Sequence, residues 1–173
     1  MRLFTVGHGT RTTEELVAVL TDGGIELLVD VRRFPGSRRH PHLARERLAA
    51  ELATPYEWWG DELGGRRKPV AETRHPQWRN EAFRAYADGM DTPVFVAAFD
   101  RLLARAAEAP TAVMCAETLW WRCHRRLIAE GANPPRRRGR PPARRRQGPA
   151  PPGVPCLRCL LCDSIHRPFR GHG

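Results

Sequence analysis

The stretch Ile25-Glu26-Leu27-Leu28-Val29-Asp30-Val31 constrains this chain more than any other. Its residues are almost all aliphatic, Gly23-Gly24 stand before it and a proline-interrupted polar loop follows, so it reads as a strand buried on both faces. Upstream, Leu3 to Val6 is a shorter run of strand formers that ends at Gly7-His8-Gly9. Between the two, Thr12-Thr13-Glu14-Glu15 carries the capping residues and acidic first turn of a helix. That helix turns Leu16, Val17, Val19 and Leu20 inward and stops at the glycine pair. Strand, helix and strand in this order open a βαβ unit. The expected fold is therefore α/β: three layers around a mostly parallel, Rossmann-like sheet of four or so strands.

The same signals continue to about residue 132. Ala44 to Ala53 has helix-forming composition with Leu48 and Leu52 on one face, Tyr56 to Trp59 suits a third strand, and Leu63-Gly64-Gly65-Arg66 is a turn. The segment to Asn80 is left irregular. Glu81 to Asp88 and Val94 to Glu108 read as helices, the second with Phe95, Phe99, Leu102 and Leu103 at helical spacing. Thr111 to Cys115 is a short buried strand, and Leu119 to Glu130 a closing helix. Residues 1–132 thus make one α/β domain. From 133 to 155 the composition is Pro, Arg, Gly, Ala and Gln with one asparagine and one valine, which builds no core. Residues 133–173 are expected to be a disordered Arg/Pro-rich tail. The abrupt change favours a reading-frame shift in a GC-rich gene over a natural nucleic-acid-binding arm, and both over a metal knuckle of Cys156, Cys159, Cys162 and His166.

The net charge of +10 belongs to that tail: ten of the 29 basic residues but only Asp163 of the 19 acidic ones follow Glu130. The domain itself is nearly neutral, which removes a strong electrostatic case for polyanion binding. No stretch approaches the roughly 18 apolar residues of a membrane span, and the amino terminus develops no signal-peptide core. A cytoplasmic protein without membrane contact is expected. There the five cysteines stay reduced, and their odd number argues against a disulfide framework.

In parallel α/β sheets ligands sit beyond the carboxyl ends of the strands. The residues there are His8, Asp30 with Arg32, and Cys115 to Glu117, with Cys123, His124 and Arg125 entering the next helix. Asp30 and Arg32 alternate onto one face, where they either pair structurally or hold a polar ligand. Cys115 is a small core residue or, if a helix starts near Leu119, a thiol activated by that helix's dipole. On a helix, Cys123, His124 and Arg125 diverge by about 100° each, so at most two converge. Cys115, Cys123, His124 and His8 match no familiar zinc spacing, so neither a metal nor another cofactor is expected. The loop Arg32 to His40, with Ser37, has a composition able to hold phosphate, and Arg66 follows a glycine pair that permits close backbone approach.

Taken together, Thr5-Val6-Gly7-His8, Asp30-Val31-Arg32, Pro35 with Ser37, Leu63-Gly64-Gly65-Arg66, Cys115-Ala116-Glu117 and Cys123-His124-Arg125 resemble the bacterial domain of unknown function family 488 over residues 3–130. Order and spacing agree throughout. The chain departs from the pattern at Gly9, where such proteins usually have serine, and after Glu130, where no final apolar strand follows. The resemblance implies a fold and one polar site rather than a reaction.

The functional expectation is an enzyme acting on a phosphorylated, nucleotide-like or nucleic-acid substrate. Cys115, Asp30, Glu117 and His124 are the candidate catalytic residues. His8, Arg32, Ser37, Arg66, Cys123 and Arg125 are candidates for holding a small anionic ligand. The rival is a regulatory module that binds ligand or nucleic acid without turnover, and nucleic acid is a partner of the tail if the tail is natural. Sequence is silent on oligomeric state.

Overall fold

The computed structural model describes residues 2–36, 38–132 and the backbone of 158–159. Ser37 and the rest of the tail, with Cys156, Cys162 and His166, lie outside the described residues. Thr12 caps the first helix as its neighbours predict: its hydroxyl accepts from the Glu15 amide, and the Glu15 carboxylate accepts from the Thr12 amide. The elements follow as β1 (Leu3–Gly7), α1 (Thr13–Asp22), β2 (Leu27–Asp30), α2 (Arg45–Glu51), β3 (Tyr56–Trp58) and α3 (Gly60–Leu63). Then come α4 (Glu81–Met90), α5 (Pro93–Glu108), β4 (Thr111–Cys115), α6 (Arg125–Ala132) and the two-residue β5 (Arg158–Cys159). Among the described residues no helix is long and apolar enough to cross a membrane.

All pairings are parallel, and the sheet order is β3-β2-β4-β1-β5. The chain is thus the expected three-layer α/β protein. Strand alternation sorts the side chains. Val6, Leu28, Ala112 and Met114 face a core completed by Leu16 and Leu20 of α1 and Leu48 of α2. Leu3, Leu27, Val29 and Val113 face the other core, with Leu63, Tyr86, Phe95, Leu102 and Ile128 from α3 to α6. The outer edge of β1 is partly paired: Phe4 and Thr5 stand opposite Arg158 and Cys159.

The one substantial difference from the sequence reading concerns the last helix. It begins at Arg125, not Leu119, because a 3-10 turn (Trp120–Arg122) and an extended Cys123 (φ −120°, ψ 151°) intervene. A second difference is the short α3, which precedes the predicted Leu63–Arg66 turn where no element is expected, and it closes on Gly64 through the Gly64 amide to the Gly60 carbonyl.

Connectivity places the functional end of the sheet. From β1 and β2 the chain leaves toward the α1/α2 face, whereas from β4, which lies between them, it leaves toward the α6 face. The crevice above β4 is therefore a topological switch point, where open α/β sheets bind ligands. Register brings Gly7, Asp30 and Trp58 level with Cys115 and Met114 at that edge. Gly7 has a strict steric reason. A β-carbon there would lie 2.2 Å from the Glu117 carbonyl oxygen and 2.8 Å from Thr118 Cα, both backbone atoms. Gly7→Ala is expected to cost about 1–3 kcal/mol in urea denaturation. Gly36→Ala, at a position with no atom within 4 Å of the new carbon, should stay within about 0.5 kcal/mol of the parent. Equal melting of the two variants would contradict the close approach.

Candidate functional site

Two polar groups meet at the switch point, one on each face of the sheet. On the α1/α2 face, Asp30 is fully buried and Arg32 nearly so. Arg32 Nε donates to both carboxylate oxygens at 2.9 and 3.0 Å, and Nη2 donates to Oδ2 at 2.5 Å. The same carboxylate accepts from the Arg32 amide at 2.9 Å and from the Tyr56 hydroxyl at 2.6 Å. Arg32 Nη1 donates to the Leu43 carbonyl and to His8 Nε2. Nearly every donor on this guanidinium has a protein partner, so the pair is a fastened structural element.

His8 completes that group. Its Nε2 faces the Arg32 donor and must accept, so the proton sits on Nδ1, which donates to the Gly9 carbonyl at 3.0 Å. Burial, and next the Arg32 cation, bring its pKa down to about 4, which keeps the ring neutral. For Arg32 burial acts against the charge, but the bond and charge of Asp30 outweigh it and hold the pKa above its ordinary value. Burial, then the Asp30 carboxylate, push the Tyr56 hydroxyl up.

On the other face, Cys115, Cys123 and His124 converge. His124 Nδ1 lies 3.5 Å from Cys123 Sγ and 4.0 Å from Cys115 Sγ, and the three ligand-type atoms all fall within 4.8 Å of one another. Arg125 is fully buried, donates from Nε to Cys123 Sγ at 3.4 Å and from Nη2 to the Glu117 carbonyl, and leaves Nη1 without a partner. Of Cys123, His124 and Arg125, two line the cleft and Arg125 is buried behind Cys123, but the reason is not the 100° divergence of a helix, because Cys123 is extended. For the same reason no helix starts near Leu119 to act on Cys115. Both cysteines are free thiols. Interaction with Cys115, then the His124 bond and the charge of Arg125, hold the Cys123 thiol low against its burial, and the same interaction with Cys123, then burial, hold Cys115 high.

Above this floor opens a cleft of about 640 Å³, a size suited to a small-molecule ligand. Its walls include Arg33, Phe34, Arg66, Phe83, Glu117 and Arg122, and Cys115, Cys123 and His124 line its base. Arg66 holds a left-handed backbone (φ 55°) and places its guanidinium 5.8 Å from the exposed Phe34 ring. Such a conformation is sparsely populated away from glycine and marks a position held by its surroundings. Arg33 is engaged with Asp61, and the Glu117 carboxylate accepts from the Leu119 amide.

Of the predicted residues, His8, Asp30 and Arg32 thus form one group, Cys115, Cys123, His124 and Arg125 the other, and Arg66 and Glu117 stand at the cleft walls. Ser37 lies outside the described residues. Tyr56, the Leu43 carbonyl and Gly65, where a β-carbon would meet His124 Nδ1 at 2.9 Å, were not predicted. Gly65 had a signal in its glycine pair. Tyr56 had none, since only the β2–β3 pairing brings it to Asp30.

Fold and site define an α/β protein with a thiol–imidazole cluster at the base of a switch-point cleft. The family model described as "Domain of unknown function DUF488" matches residues 12–132, and the chain belongs to that family. The match begins after β1. No curated protein and no solved structure matches.

Proposed function

We propose that the protein is an enzyme that binds a small anionic, nucleotide-like molecule in the switch-point cleft and transforms it at the Cys115–Cys123–His124 cluster. The observation that carries this reading is the placement of that cluster at the base of a ligand-sized cleft whose walls combine arginine and aromatic side chains. Arg66 and Arg122 have no carboxylate partner among the described residues, and both are exposed, so they are free to meet an anion. Phe34 and Phe83 offer faces against which a planar base can stack. Arg32 also lines the cleft, but its side-chain donors are engaged with protein atoms.

Titration calorimetry with a panel of nucleoside phosphates and sugar phosphates, paired with phosphorus and proton NMR of each mixture, tests both halves. The expected result is binding of at least one compound, weakened about tenfold by Arg66→Ala, or about 1.4 kcal/mol. Product formation should disappear in Cys123→Ser while the part of that binding that depends on Arg66 remains. Binding without turnover in the parent protein would favour the non-catalytic module instead. No binding to any anion would sink the reading.

A further inference from the structure

A reduced dithiol and an imidazole can assemble for packing, for covalent chemistry or to hold a metal, and the distances here discriminate. Zinc bonds of about 2.3 Å to sulfur and about 2.0–2.1 Å to nitrogen, arranged tetrahedrally, place a nitrogen and a sulfur ligand about 3.6 Å apart and two sulfurs about 3.8 Å apart. His124 Nδ1 stands 3.5 Å from one sulfur and 4.0 Å from the other, and no pair in the trio exceeds 4.8 Å. The three atoms therefore lie close enough to become three corners of such a tetrahedron with modest side-chain adjustment.

The surroundings agree. Gly65 approaches the Nδ1 edge so closely that any β-carbon would sit 2.9 Å from it, so glycine keeps that edge open. Arg125 Nε, at 3.4 Å from Cys123 Sγ, supplies the kind of outer hydrogen bond that orients a ligating thiolate. All three residues line the cleft, so the fourth corner opens toward the ligand space. Structural zinc sites close with four protein ligands, whereas catalytic ones use three and keep a position for water or substrate.

We propose that Cys115 Sγ, Cys123 Sγ and His124 Nδ1 bind one Zn2+ ion whose fourth position faces the cleft. The ion and two thiolates sum to zero, and the adjacent Arg125 cation leaves the locality positive. An anionic group is then the natural fourth ligand. This deepens the reading of the cleft as an anion-binding enzyme site, but its test needs no substrate, so the two stand or fall separately.

The spacing Cys115-x7-Cys123-His124 is foreign to common zinc motifs because the metal would be closed by a strand end and an extended residue, not by a knuckle or a helix face. Tail cysteines are the competing ligands. The test therefore uses the full chain with Cys156→Ser, Cys159→Ser and Cys162→Ser, purified with reductant, stripped with chelator and titrated with Co2+ and then Zn2+. One equivalent of Co2+ should give the visible bands of a four-coordinate ion and the near-ultraviolet charge transfer of thiolate ligands, both lost on adding Zn2+. Cys123→Ser and Cys115→Ser should each weaken Zn2+ binding by more than about 100-fold, beyond what an outer-shell change costs, with circular dichroism confirming that they fold. A tail-substituted chain that folds but shows no thiolate–cobalt band would overturn the proposal. So would a band unchanged by both domain substitutions.

Discussion

Asp30→Ala should cost about 3–5 kcal/mol of unfolding free energy at neutral pH, because it strands the Arg32 cation in the interior. The carboxylate accepts from three nitrogens of Arg32 and from the Tyr56 hydroxyl, and it has no exposure to solvent. Without it the guanidinium keeps only the neutral His8 ring and the Leu43 carbonyl. Against the roughly 5–15 kcal/mol stability of a typical domain, the loss is large. Tyr56→Phe removes one bond to the same carboxylate and should cost about 1.5–3 kcal/mol. Urea denaturation of both variants checks the pair. A small loss for Asp30→Ala, below about 1 kcal/mol, accompanied by failure to bind ligand, would mean that the carboxylate serves the ligand and not the fold.

Stability should also fall as the solution is acidified from about pH 6.5 toward pH 4, through His8. In the folded protein its pKa is about 4, against 6.5 ordinarily. Between these values the unfolded chain binds a proton that the native state refuses, so protonation favours unfolding. The contribution is complete above pH 6.5 and is lost as pH drops to the folded value. At about 1.4 kcal/mol per pH unit it reaches about 3 kcal/mol. Chemical denaturation of the parent and of His8→Gln at pH 7, 6, 5 and 4 isolates it: the parent should lose stability across that window by about 3 kcal/mol more than the variant. Parallel curves would show that the His8 pKa is not depressed. The physical basis is first the burial of the ring, which penalises its charged form, and then the Arg32 cation, which disfavours a second positive charge 3.1 Å away.

These two expectations concern one network and bear on how the site divides. The Asp30, Arg32 and His8 group is satisfied by its own members, which is how a structural support behaves. The Cys115, Cys123, His124 and Arg125 group is not. Arg125 Nη1 and His124 Nε2 are buried without partners, and the sulfurs and imidazole open onto the cleft. Incomplete satisfaction in a folded protein is an indication of where chemistry or a ligand belongs.

Much of the fold was legible because it depends on local rules. Leu3 to Val6, Leu27 to Asp30 and Thr111 to Cys115 are apolar runs that can only be covered by helices on both sides, and the Thr12–Glu15 capping box marks where the first helix starts. Alternation correctly put Asp30 and Arg32 together, since a strand's period is a property of the backbone. The 3-10 turn and extended residue before Arg125 were not legible, because Leu119 to Glu130 has a helical pattern and the interruption is imposed by packing against β1 and β4. With it went the way Cys123 and His124 meet Cys115 while Arg125 packs behind them.

Residue order alone determined that this is a parallel α/β domain and which polar side chains stand at its strand ends. Tertiary structure decided how those side chains divide. The placement of β4 between β1 and β2 sets Cys115 level with Gly7 and Met114 level with Asp30, and the pleat sends adjacent positions to opposite faces. One expected site thereby became a buried ion-pair support beneath one face and an open thiol–imidazole cluster above the other. No spacing in the chain encodes that separation, because it depends on which strands pair and in what register.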